Sequence, residues 1–174
     1  MSNALPTDYQ NFIATSRYAR WLDEEGRRET WSETVTRYVD YMTEKVGLNE
    51  DDSNDIWVAI HNLDVMPSMR ALMTAGKALD RDNTAGYNCS YLPVDDMKSF
   101  DEAMYILLCG TGVGFSVERQ YIDKLPTIPD REFEKTDDVV SVNDSKEGWA
   151  RAFKDLISYL YTCRIPKINI SKVR

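Results

Sequence analysis

Residues 83–118 read NTAGYNCSYLPVDDMKSFDEAMYILLCGTGVGFSVE, and this stretch decides the fold. Tyr87 to Val94 alternates and is rich in aromatic and branched residues, which predicts a strand. Phe100, Ala103, Met104, Leu107 and Leu108 then recur at helical spacing, and Val113 to Val117 predicts a second strand. Strand, helix and strand in that order predict a β-α-β unit with parallel strands. Ligands gather at the carboxyl ends of such strands, whereas Cys89 falls early in its own.

Gly110, Gly112 and Gly114 follow the helix and open the second strand. A phosphate-binding P-loop would continue into Gly-Lys-Ser/Thr, and the dinucleotide fingerprint places its glycines before a helix; neither order is present. The glycines therefore serve either a helix cap with tight packing or the close approach of a ligand or backbone. Cys89 has no second Cys or His at metal-binding spacing, so no metal site is expected there.

Outward from this unit, further motifs keep the same order. Met66–Gly76 reads MPSMRALMTAG, Asp144–Trp149 reads DSKEGW, and the chain closes on ISKVR. Together with the Asn88-Cys89 pair and GTGVGFSV, they resemble the catalytic subunit of ribonucleotide reductases. The likeness is greatest to the monomeric, adenosylcobalamin-dependent (class II) kind in a phage-like form, and it covers residues 8 to 174. The resemblance implies an α/β fold: a helical N-terminal region, residues 1–65, followed in residues 66–174 by the first half of a ten-stranded α/β barrel.

It also implies roles. Cys89 matches one of the two cysteines that supply reducing electrons and become a disulfide. Ser68, Arg70, Asn88, Gly112 and Gly114 match substrate contacts; an arginine fork suits phosphate. Asp95 or Asp96 matches an effector-ribose carboxylate, the alternative being a helix N-terminal acid favoured by the dipole. Adenosylcobalamin is the implied cofactor, with a separate metal-containing radical subunit as the alternative. The implied partners are a ribonucleotide, a thioredoxin-like dithiol reductant and the C-terminal half of the reductase, as a separate or spliced chain. That half carries the radical cysteine and the second reducing cysteine. Cys109 and Cys163 read as small buried hydrophobes rather than stand-ins for these. The chain alone is thus expected to be inactive. The alternatives are a non-catalytic nucleotide-binding or regulatory module derived from a reductase, and a truncated relic.

Composition narrows the setting. The net charge is −8, from 29 acidic and 21 basic residues, which argues against a nucleic-acid surface. No apolar run reaches membrane-spanning length, and MSNALPTDYQ lacks the regions of a signal peptide. Three cysteines are too few and too dispersed for a secreted disulfide framework, so a cytoplasmic location is expected, the host's cytoplasm if phage-encoded.

The remaining elements follow from periodicity. Tyr9, Phe12, Ile13, Tyr18, Trp21 and Leu22 predict a first helix ending near Gly26. Thr30 with Glu33 predicts a capping box, Trp31 to Val46 an amphipathic helix, and Gly47 its stop. Asp52 or Ser53 would cap a third helix. Arg27 and Arg28 read as a solvated helix end, and His61, the lone histidine, as structural. Residues 77–86 and 120–136 read as loops. Asp138–Asn143 and Ile165–Ile170 predict strands around a helix carrying Trp149, Phe153, Leu156, Ile157 and Leu160, with Asp144 and Glu147 at its capped start.

Overall fold

The computed structural model describes residues 5–174, so the first four of the expected helical region lie outside the described residues. The chain forms two compact units, Met1–Asn88 and Cys89–Arg174.

In the first unit, α1 (Asp8–Ile13) runs into a π-helical turn, Ala14–Tyr18. The expected helix stops there. Trp21–Leu22 and Arg27–Arg28 instead form strands β1 and β2 of a small antiparallel hairpin. Tertiary hydrogen bonds override the helical pattern: the Arg20 N–H donates to Glu29 Oε2 at 3.0 Å, and Arg28 Nη1 donates to the Ala19 carbonyl at 2.8 Å. Arg27 lies in this hairpin rather than at a helix end, and its side chain stays partly solvent-exposed, its guanidinium forking onto both oxygens of Glu33 at 2.8 Å.

Helix α2 (Trp31–Val46) starts at the expected capping box, with Glu33 N–H on Thr30 Oγ1 and Thr30 N–H on Glu33 Oε2. It ends at Gly47, which adopts the left-handed conformation that closes a helix without a Cβ penalty. Trp31, Val35 and Val39 recur every four residues and bury one face against Ile60 and Leu72. Each such side chain contributes roughly 1.5–3 kcal/mol on burial. Helix α3 (Glu50–His61) is capped by Asn49, earlier than expected; its amide oxygen accepts from Asp52 N–H at 2.8 Å. His61 is a bridge: it stacks on Trp57 at 4.5 Å, its Nε2 lies 3.0 Å from Ser32 Oγ, and its carbonyl accepts from Trp31 Nε1.

Residues 66–88, expected to accompany the barrel, pack into this first unit. They form α4 (Met69–Thr74), α5 (Lys77–Arg81) and a 3-10 turn, Asn83–Gly86, in place of the loop expected over 77–86. Leu79 is buried and anchors α5, which is too short to show a helical period in the sequence. The end of α4 is held by two guanidinium groups. Arg37 donates to the carbonyls of Leu72 and Ala75, and Arg20 to that of Ala75 at 2.6 Å, satisfying groups that a helix end leaves open. Both arginines converge on Glu29, whose side chain is buried. Burial would raise the Glu29 carboxyl's pKa, but hydrogen bonds from Arg37, the Arg20 N–H and Thr34 hold it below the ordinary value.

The second unit contains two strand-helix-strand repeats. β3 (Cys89–Pro93), α6 (Lys98–Leu108) and β4 (Gly112–Ser116) form the first, and β3 and β4 pair in parallel as expected. After a short helix α7 (Arg119–Ile122), β5 (Glu134–Asn143), α8 (Lys146–Leu160) and β6 (Arg164–Lys172) form the second, again parallel. β5 begins four residues earlier than its apolar run because Glu134 pairs with Arg164. Val140, Val142 and Ala152 centre its core, and α6 packs on α8, where Phe100 meets Tyr161 edge-on at 6.4 Å. The cap of α8 is Ser145, whose Oγ accepts from Gly148 N–H; Asp144 instead binds Arg174. Among the described residues no helix is long and apolar enough to cross a membrane.

Candidate active site

The site is built on the open face of the β3–β4 pair. Side chains alternate along a strand, and residues opposite one another in a parallel ladder share a face. Cys89 lies opposite Gly112 and Tyr91 opposite Gly114, so all four line one face. Cys89 and Tyr91 are exposed, while Leu92 on the other face is buried. A thiol thus stands beside two positions with no side chain, with an aromatic ring as a wall.

Local bonds fix this floor. Ser90 Oγ donates to the Gly112 carbonyl at 3.1 Å, cross-linking the strands on the face away from the thiol. Ser99 Oγ, buried, reaches back to the Pro93 carbonyl at 3.0 Å and ties the start of α6 to the end of β3. Gly110, at φ +84°, follows the last turn of α6, and there the helix-cap reading of the glycine run holds. Gly114 is different. A Cβ there would meet the Ser90 carbonyl oxygen at 3.7 Å and Tyr91 Cδ2 at 4.0 Å, ordinary contact distances. The protein's own backbone leaves room for a Cβ at Gly114, so packing within the chain does not demand a glycine there.

Tyr91 was not among the residues singled out from the sequence. Its signal was the period of two from Cys89, which becomes meaningful only with the register against Gly114. Its phenol shares a hydrogen bond with Tyr121. Electrostatic interaction with the neighbouring Tyr91, followed by that hydrogen bond, raises the Tyr121 pKa.

The other predicted residues are placed as follows. Gly112 and Gly114 join Cys89 on one face. Asp95, just beyond β3, pairs with Lys124 at 3.2 Å, and Asp96 Oδ1 accepts from Lys98 N–H at 2.8 Å at the start of α6. Asp96 thus serves the helix start in this structure. Ser68, Arg70 and Asn88 belong to the first unit. Ser68 caps α4, accepting from Ala71 N–H and donating to the Gly86 carbonyl, each at 3.4 Å. Arg70 is half-buried in the first turn of α4, and Asn88 is exposed. The same unit holds an open cleft of about 470 Å³ lined by Tyr41, Lys45, Asp80, Asn83 and Tyr87. Lys45 and Asp80 pair across it at 2.8 Å, which raises the pKa of the amine and lowers that of the carboxyl, the hydrogen bond between them being the largest cause in each.

All three cysteines are free thiols. Cys163 is 1% exposed at φ +54°, with its Sγ on the Pro129 carbonyl, a buried small residue as expected. Cys109 departs from that expectation: it is only half-buried, and Lys146 Nζ lies 3.1 Å from its sulfur. No signal in the sequence links two residues so far apart.

The chain is similar in sequence and fold to known proteins. Residues 3–77 match the family model of the ribonucleotide reductase alpha domain. The adenosylcobalamin-dependent ribonucleoside-triphosphate reductases of Lactobacillus delbrueckii subsp. bulgaricus and Lactobacillus leichmannii are 29% identical to this chain, over 64% of it and 20% of their own length. The chain therefore spans about a fifth of these curated relatives. The crystal structure of a B12-dependent (class II) ribonucleotide reductase superposes with a TM-score of 0.75 at 22% identity, over 94% of this chain and 32% of that one. By sequence likeness over its first part and by fold over most of its length, the chain is similar to ribonucleotide reductases.

Proposed function

We propose that the chain is the N-terminal part of a ribonucleotide reductase, converting ribonucleotides to deoxyribonucleotides for DNA synthesis, and that Cys89 is one of its two reducing thiols. The observation that carries this reading is the exposed thiol of Cys89 on an open face opposite Gly112. Replacing a ribose 2'-hydroxyl by hydrogen takes two electrons, so two thiols become one disulfide and water leaves. The second thiol must bring its Cα within about 7 Å of that of Cys89. Cys163 is buried and Cys109 follows α6 beside Lys146, so neither stands on the open face. The partner thiol and the radical cysteine come from the C-terminal half of the enzyme.

In this reading residues 66–174 furnish the first half of the ten-stranded barrel, and residues 1–65 the helical region before it. The two parallel pairs, β3–β4 and β5–β6, are its strands. Exposed Tyr91, Phe115, Ile168 and Ile170 supply apolar surface for the complementary half to cover. Gly112 and Gly114 admit the substrate, Arg70 and Ser68 serve its phosphates, and Asn88 its ribose. Asp95 or Asp96 is held in reserve as an effector contact. The relatives' dependence on adenosylcobalamin carries over as the radical source. Neither the cleft of about 470 Å³ nor that of about 410 Å³ is assigned a part in holding it. A thioredoxin-like dithiol would re-reduce the disulfide in the cytoplasm.

The test is reconstitution. The chain is mixed with the complementary C-terminal polypeptide, a dithiol and adenosylcobalamin, and deoxyribonucleotide formation is measured. Product formed only in the mixture supports the reading; nucleotide binding without product in any mixture contradicts it.

A further inference from the structure

We propose that Cys109 and Lys146 form a modification site, at which hydrogen peroxide drives closure of a covalent sulfur–nitrogen (sulfenamide) bond between the end of α6 and the start of α8. This inference is independent of the reductase reading. Cys109 is the C-cap of α6, and Lys146 is the first residue of α8. The amine nitrogen already lies 3.1 Å from the sulfur, a contact distance, so bond formation needs side-chain motion alone. Lys146 is held in place by the Tyr105 ring, whose centroid is 4.8 Å away. Tyr105 in turn lines an open cleft of about 410 Å³ between α6 and α8, and Cys109 itself is only half-buried, within reach of a small oxidant from solvent. Cys163, at 1% exposure, has no comparable access.

The chemistry balances in two steps. The Cys109 thiol attacks the peroxide O–O bond and becomes a sulfenic acid, giving up two electrons, while the peroxide leaves as water. Lys146, after releasing a proton to solvent, attacks the sulfenic sulfur through its nitrogen lone pair. The S–O bond breaks, and hydroxide combines with the second amine proton to leave as water. No further oxidant is needed. Two thiol equivalents reverse the bond, restoring thiol and amine and leaving as a disulfide.

The bond closes a loop between residues 37 apart and fixes the α6–α8 contact that Phe100 and Tyr161 already make. To test it, the purified chain is exposed to hydrogen peroxide, its remaining thiols are blocked, and the digest is analysed by mass spectrometry. The expected result is one species joining the Cys109 and Lys146 peptides, lighter than their sum by two hydrogens and released by dithiothreitol. It should vanish in Cys109→Ser. In Lys146→Arg it should also vanish, while Cys109 still reacts with a sulfenic-acid probe. Unlinked peptides from the folded wild-type chain, with Cys109 as sulfinic acid or unoxidised and Lys146 still open to acylation, would overturn the proposal.

Discussion

Cys89 sits directly opposite Gly112 in the parallel ladder, so its exposed thiol and a position without a side chain share one face of the sheet. A residue later in register would have turned the thiol toward α6. The pairing therefore does two things at once: it exposes the sulfur and clears the space beside it.

Gly114 is predicted to tolerate alanine structurally. The new Cβ has ordinary contacts, and exchanging glycine for alanine restricts the unfolded chain, so Gly114→Ala should change stability by less than about 1 kcal/mol. Nucleotide binding by the reconstituted enzyme should weaken. Urea melts and equilibrium binding on the same variant separate the two effects; a folded variant that binds normally removes the ligand-approach role.

Gly148 should behave in the opposite way. A Cβ there would lie 2.3 Å from the Asn143 carbonyl oxygen, a backbone atom that cannot move aside cheaply. Gly148→Ala should cost about 1–3 kcal/mol, read from the denaturation midpoint. This close approach between β5 and α8 gives a physical reason for the glycine of the DSKEGW motif.

The Glu29–Arg37 pair joins the hairpin, α2 and the end of α4 while largely shielded from water. Removing Arg37 strips the buried Glu29 carboxylate of its two guanidinium hydrogen bonds, leaving only the Arg20 N–H and the Thr34 hydroxyl as donors. Arg37→Ala should therefore destabilise the first unit by about 3–5 kcal/mol in chemical unfolding. A loss below about 1 kcal/mol would mean that the network is solvated in solution.

Acid should weaken the first unit through its glutamates. Hydrogen bonds from Arg27 and from the Thr30 N–H bring the Glu33 carboxyl down from 4.5 to about 2 in the folded chain. A depressed carboxylate stabilises the fold above its unfolded pKa and loses that contribution as pH falls through the folded value. Stability should thus decline between about pH 4.5 and 2, and Glu33→Gln should flatten that part of the curve. Because Glu33 is well exposed, the effect should shrink in high salt.

Much of this fold is legible in the amino-acid sequence alone. The capping box at Thr30 and Glu33, the stop at Gly47 and the parallel strands around α6 all rest on local chemistry that a sequence displays. The β1–β2 hairpin was hidden because Tyr18, Trp21 and Leu22 happen to keep helical spacing, while the bonds that bend the chain come from Glu29 and Arg28. At the site, Cys89 and the glycines were visible, but their common face depended on a register between separate strands. The contact of Lys146 with Cys109 joins distant segments and left no local trace.

The most direct measurement compares wild-type chain and Cys89→Ser, each completed with the C-terminal polypeptide, in repeated reduction of ribonucleotide by an external dithiol. The account predicts continued turnover for the wild type, and loss of multiple turnover for Cys89→Ser with nucleotide affinity nearly unchanged. Equal turnover in both would remove Cys89 from the reducing pair and contradict the account at its centre.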